Sequence, residues 1–317
     1  MEARLDHRRT SILPRAGSRV RGLATPLAAL ALLLSLPLSA AATYPGSVDG
    51  RLAFGATVDG NADIYSVLPN GRALQRLTTD SLFDACPAWS ADGKQITWCH
   101  GVQRGGIIEV WTMKSDGTEK RQVTTLGGRS LFPDYSPDGR RILFSSQPAG
   151  ATNFDLFVID IDGTGLVQLT SDPGFDGNPA WSPDGEQIVF TSDRSGIGQV
   201  HVMAADGSDP VQLTFDPVFK DQVPDWSPDG SKIAYAAGDP GDVLVMNADG
   251  SDQHTVVGGP TDDFGSAWSP DGGQIAFVRF DDRTVYVVNS DGSGSHAVRP
   301  YGLQAVPGWQ PRGDRQP

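Results

Sequence analysis

This 317-residue chain lacks helical periodicity beyond its amino terminus. No stretch of twelve or more residues after position 42 spaces its apolar side chains at three and four, which excludes helix bundles and alternating α/β folds. Long apolar runs are also missing: the longest, Leu27–Leu38, has about a dozen residues, short for a membrane span. Cysteine is confined to Cys86 and Cys99, so no disulfide-dense scaffold is available. No Gly-x-Ser-x-Gly elbow, His-Glu-x-x-His pair or phosphate-binding loop is present, so the common hydrolase, zinc-peptidase and nucleotide-binding motifs are lacking. Positive charge is scarce, with 25 Lys and Arg against 38 Asp and Glu, a net charge of −13. Such a surface argues against nucleic acid and anionic membrane as partners.

The amino terminus stands apart. Residues 1–22 hold six Arg and two acids, the apolar run follows, and Ser39-Ala40-Ala41-Ala42 offers small side chains for signal peptidase. This pattern predicts a cleaved signal peptide over residues 1–42 and export to a periplasm or the cell exterior. Without it the net charge becomes about −17.

What remains is a repeat. Pro179-Ala180-Trp181-Ser182-Pro183-Asp184-Gly185 leads into Ile188-Val189-Phe190, two short strands around a turn that needs Pro at its first corner and Gly at positive φ. Versions of this hairpin centre on Trp89, Tyr135, Trp181, Trp226, Trp268 and Trp309, at intervals of 46, 46, 45, 42 and 41 residues. Each unit continues with a second alternating strand such as Val200–Met203, an Asp-Gly turn such as Asp206-Gly207, and a closing pair such as Leu213-Thr214. The 38 Gly and 23 Pro fall largely at these turns. A period near 44 with four short strands per unit predicts a β-propeller blade. We label its strands A (the Trp strand), B, C and D.

The phase of the repeat predicts how the fold closes. The part after residue 42 begins with strand B at Leu52–Phe54, and the last unit supplies a lone strand A near Trp309. Inserting that strand beside Leu52–Phe54 would complete a six-bladed, all-β propeller of four antiparallel strands per blade over residues 43–313, with a tail at 314–317. A monomer is expected.

Repeats reading Pro-x-Trp-Ser-Pro-Asp-Gly-x-x-Ile-x-Phe, then Val-x-Val-Met-x-x-Asp-Gly-Ser and Gln-Leu-Thr, resemble the WD-related Pro-Asp repeats of TolB-like β-propellers, over about residues 49–311. The resemblance implies a non-enzymatic protein-binding scaffold with a protein partner in the cell envelope or outside the cell. Similar blades in oligogalacturonate lyases and prolyl-oligopeptidase-type peptidases leave open a metal-dependent, lyase-like carbohydrate-active enzyme or glycan binder, or a peptidase-type propeller acting with a separate partner.

The A–B and C–D turns are nearly uniform, whereas the B–C and D–A loops vary, and variable loops on a rigid frame are the expected working surface. In the D–A loops, Asp84, Asp176, Asp221 and Asp263 each stand five residues before a Trp, accompanied by Phe83, Phe175, Phe219 and Phe264. Two readings stand side by side. The carboxylates could ring the channel mouth as a cation site, for which calcium is the candidate ion, or as a collar for a basic group. Alternatively each caps its own loop while its Phe wedges between blades. Of the histidines after residue 42, only His100 falls on that face. Counting back from Ser90 opposite Gln95 sets Cys86 opposite Cys99, so a cross-strand disulfide is expected, with two free thiols as the alternative.

Overall fold

A computed structural model describes residues 50–58, 60–102, 106–217, 222–300, 302–303 and 307–311. The proposed signal peptide, Phe219, Asp221 and residues 312–317 lie outside the described residues. Every regular element among those described is a β-strand. The Trp181 unit shows the local logic: strand A is Asp176–Trp181, B Gln187–Ser192, C Gln199–Ala204 and D Val211–Gln212, in that hydrogen-bonded order and antiparallel throughout.

The Ser-Pro-Asp-Gly corner is held by its own side chains. Ser182 Oγ donates to Asp184 Oδ1 (2.6 Å) and accepts from Gln187 N–H (2.9 Å), and Asp184 Oδ1 accepts from Glu186 N–H (3.0 Å). Gly185 sits at φ 73°, where a side chain would be strained. The same bonds recur from Ser90, Ser136, Ser227 and Ser269. Repetition assigns this serine and aspartate to structure rather than chemistry.

Three units form separate four-stranded sheets, while a single parallel bridge, Ile108 to Arg129, merges the Trp89 and Tyr135 units into one eight-stranded sheet. The described strands therefore count as five hydrogen-bonded sheets rather than six. The remaining sheet draws on both ends of the chain. Leu52–Val58 pairs with Asn61–Val67 on one side. On its other side Leu52 faces Trp309 and Ala53 faces Gly308, while Gly302–Leu303 pairs with Ala56 and Thr57.

Packing follows from strand alternation, because successive side chains leave opposite faces of a sheet. In strand B, Ile188 and Phe190 join Leu143, Leu156 and Val158 of the preceding unit, whereas Val189 joins Trp226, Ile233 and Tyr235 of the following one. The arrangement repeats from unit to unit, and one cluster joins Ala276 and Val287 near the end of the chain to Leu52, Phe54 and Trp309. Each A-strand ring is almost wholly covered, Trp181 retaining 5 % of its surface. Burying such a ring is worth about 3–5 kcal/mol against alanine.

The closing Leu-Thr pair lies just past strand D and has a definite role. Thr214 Oγ1 accepts from Val200 N–H (2.9 Å) and donates to Gln199 Oε1 (3.0 Å), so a side chain finishes the ladder where strand D stops. Thr78, Thr124 and Thr170 repeat this with Asp63, Glu109 and Asp155. Replacing Thr214 by Val should strand a buried N–H and lower stability by about 1–3 kcal/mol, while Thr214→Ser should cost less than half of that. Urea unfolding of the two variants checks the difference; equal losses would remove the role assigned to the hydroxyl.

Candidate functional site

Residues of strand A line one cavity, and the strand is not regular. Its pairing with strand B slips by one residue in each fully described unit: between Ala85 and Ala88, Leu131 and Asp134, Gly177 and Ala180, Gln222 and Asp225, and Phe264 and Ala267. The extra residue is left-handed each time, at Cys86 (φ 51°), Phe132 (52°), Asn178 (51°), Val223 (51°) and Gly265 (65°). Asn and Gly accept this conformation readily; a β-branched Val does not. Proline follows in four of the five, supplying no N–H where the ladder is broken.

The bulge overturns the expected disulfide. Trp89 faces Ile96 as counted from the turn, but Ala85, not Cys86, faces Cys99. Both cysteines are buried free thiols, and Cys86 sits at the wall of a central cavity. Burial, followed by the hydrogen-bonding interaction with Cys86 that favours the protonated thiol, pushes Cys99 well above its ordinary value.

That cavity, about 200 Å³, is walled by strands A from all the units, from the bulge residues to the turn prolines Pro137, Pro183, Pro228, Pro270 and Pro311. Its wall mixes proline and aromatic surface with the polar side chains of Tyr135, Asn178, three serines and two carboxylates, Asp134 and Asp225. The residue before each strand-A ring reads Ala88, Asp134, Ala180, Asp225, Ala267, Gly308. Asp134 Oδ2 accepts from Trp181 N–H (2.9 Å) and Asp225 Oδ2 from Trp268 N–H (2.8 Å), so each carboxyl ties its strand to the next unit. Removal from water pushes both carboxyl pKa values up to about 7, against the opposing pull of those N–H groups. Among the described residues Trp89, Trp181, Trp226 and Trp268 Nε1 and Tyr135 Oη, all buried, have no hydrogen-bond partner, whereas Trp309 Nε1 donates to Ala267 O (3.0 Å). The sequence carried this signal in the Asp before Tyr135 and before Trp226, which the reading from the D–A loops passed over.

The residues singled out from sequence lie elsewhere. Asp84, Asp176 and Asp263 are fully buried, and none of the six described members of the Asp and Phe set lines the cavity. Each carboxylate has a basic partner, two arginines and a histidine, from its own strand B or the residues just beyond. Arg194 Nη2 donates to both oxygens of Asp176 (3.0 Å each) and lies over Phe190. Arg279 forks onto Asp263 through Nε and Nη2 (2.8 Å each) and lies over Tyr286. Asp84 takes His100 Nδ1 (2.7 Å) and Trp98 Nε1 (2.8 Å), and this bond raises the pKa of His100. The Tyr135 unit has a neutral pair, Ser130 with Ser146 (3.0 Å). Phe175 packs edge-on against Phe154, and Phe264 against Phe280. These aspartates are charge-matched within their own units, a closer fit to the structural reading than to a shared collar.

Comparison with known proteins follows this geometry. The family model for the TolB β-propeller domain matches residues 39–154 and 120–312. The chain belongs to that family. A Tol-Pal system protein TolB from Desulfosudis oleivorans is 37% identical over 62 residues, 20% of this chain and 14% of that protein, so the match spans a small part of that relative. The crystal structure of TolB from Acinetobacter baumannii superposes with a TM-score of 0.74 at 21% identity, covering 85% of this chain and 68% of that one. A putative TolB from Agrobacterium tumefaciens gives 0.67 at 19% identity, covering 83% and 95%. At such identity these structures establish the fold alone.

The two carboxyls on the cavity wall generate a pH prediction. Their folded pKa lies above the ordinary 3.8, so the stability they contribute is complete below that value and lost as pH rises through about 7. Asp134→Asn with Asp225→Asn should therefore gain stability over the parent between pH 5 and pH 8, by about 3–5 kcal/mol for the pair. Urea midpoints at the two pH values test this; a constant difference would contradict it.

Proposed function

We propose that this chain is an exported, monomeric, six-bladed propeller, closed by its own tail, that works as a non-enzymatic scaffold for a protein of the cell envelope or exterior. Membership of the TolB family supports a protein-binding scaffold, and the matched relative is named as a Tol-Pal system component. No helix among the described residues is long and apolar enough to cross a membrane.

One observation favours the face bearing the B–C and D–A loops. Antiparallel order sends both kinds of loop to the same end of every unit. Of the large apolar side chains exposed among the described residues, Leu82, Val102, Ile107, Phe215 and Phe280 belong to those loops, and Phe215 is 74% exposed. The other three, Leu166, Val167 and Val211, lie at or beside the outer strands D. Exposed apolar groups gathered at one end of a very acidic protein suit an apolar partner surface with a basic rim.

The test is capture from envelope extract with the combined variant Ile107→Glu, Phe215→Glu, Phe280→Glu, beside Val211→Glu as a control for surface charge. Partners held by the parent and the control should be lost from the triple variant. Partners retained by the triple variant would contradict the assignment of this face.

A further inference from the structure

The buried aspartate of strand A is neutralised by arginine in two units, and the Trp89 unit departs from that rule. Asp176 and Asp263 each hold a guanidinium, which is always charged and cannot ligate a metal. At the same place Asp84 holds His100, whose Nδ1 can bind either a proton or a metal ion. Among the described residues a third acid or imidazole joins only here: Asp80, on the exposed D–A loop, brings Oδ2 to 4.0 Å from His100 Nδ1. One donor atom from each of Asp80, Asp84 and His100 lies within 4.8 Å of the others.

A separate observation points to a missing partner. Asp84 is wholly buried, and among the described residues its Oδ2 has no hydrogen-bond partner, although Oδ1 receives both Trp98 and His100. An unpaired carboxylate oxygen away from water is costly, and proteins seldom leave one without cause. Its counterparts in the other two units have both oxygens engaged by arginine.

From these observations we infer that Asp80, Asp84 and His100 form a binding site for one first-row divalent transition ion of the zinc, cobalt or manganese type. Two carboxylates and one imidazole are a mixed oxygen and nitrogen donor set, which suits these ions; calcium prefers six to eight oxygens. The ion replaces the proton shared between Nδ1 and Asp84, and that proton leaves to solvent. Metal–ligand bonds of about 2.1 Å place donor atoms roughly 3.0–3.4 Å apart, so the His100–Asp84 pair at 2.7 Å opens slightly and Asp80 closes in from 4.0 Å. The support around the ligands is already built: the indole of Trp98 fixes Asp84, and the Trp111 ring meets His100 edge-on at 4.7 Å. Three protein donors leave positions for water or for a donor from a bound molecule. The site depends only on the Trp89 unit and stands whether or not the loop face binds a protein.

Titration calorimetry of the full chain with zinc, cobalt, manganese and calcium chlorides tests the inference. His100→Arg is the decisive variant, because it copies the Asp263–Arg279 pair at the same register and should fold at least as well as the parent. The parent is expected to bind one zinc or cobalt ion, with calcium far weaker. His100→Arg should lose that binding, and Asp80→Asn, at an exposed position, should weaken it by about tenfold or more. Absence of transition-ion binding by the parent, or equal binding by His100→Arg, would overturn the site; the latter would assign the affinity to exposed histidines such as His254 and His296.

Discussion

The constraint on which the molecule depends is that no sheet can bury its two faces alone. Each four-stranded unit is apolar on both sides, and strand B shows why: its outer pair, such as Ile188 and Phe190, belongs to one neighbour's cluster and its middle residue, Val189, to the other's. A unit at a free end would leave one such face in water. The chain meets this by pairing Gly308–Trp309 with Leu52–Ala53, and Trp309 enters the same cluster as Ala276 and Val287. Sequence order and spatial order thus differ by one strand, and the offset ties the two ends together.

Polar groups are treated just as systematically, with a side chain standing in wherever the ladder stops. Serine and aspartate finish the A–B corner, threonine finishes strand D, and a cation answers the buried aspartate at the start of strand A. The unmatched groups are therefore informative. Buried indole N–H groups without partners and two carboxyls with raised pKa gather around the central cavity, and one bare carboxylate oxygen lies in the Trp89 unit. Departures from an otherwise repeated scheme mark the places where function is best sought.

Much of this was legible in the chain itself. Period, strand positions, turn chemistry and the pairing of Trp309 beside Leu52 all follow from local pattern, because turn residues and alternating apolar residues act over a few positions. The bulge in strand A was not legible, since an extra residue at Cys86-Pro87 leaves the turn and the Trp unchanged and shifts only what precedes them. That single slip removed the disulfide. The partners Arg194 and Arg279 were missed for a related reason: they stand 18 and 16 residues from their aspartates and meet them only once strand B has folded back. Of the two readings offered for these aspartates, the pairing of Asp176 and Asp263 with arginines of their own units fits the structural one more closely.

Hydrogen exchange measured amide by amide tests the closing strand most directly. The Gln310 N–H is bonded to Arg51 O (2.7 Å), and Trp309 lies opposite Leu52. If the tail is an integral strand, these amides exchange only through global unfolding, at the rate of the Trp181 amide in the middle of the chain. Exchange of Trp309 and Gln310 many times faster than Trp181, with the rest of the molecule protected, would show a frayed end and contradict a fold held by the joining of its termini.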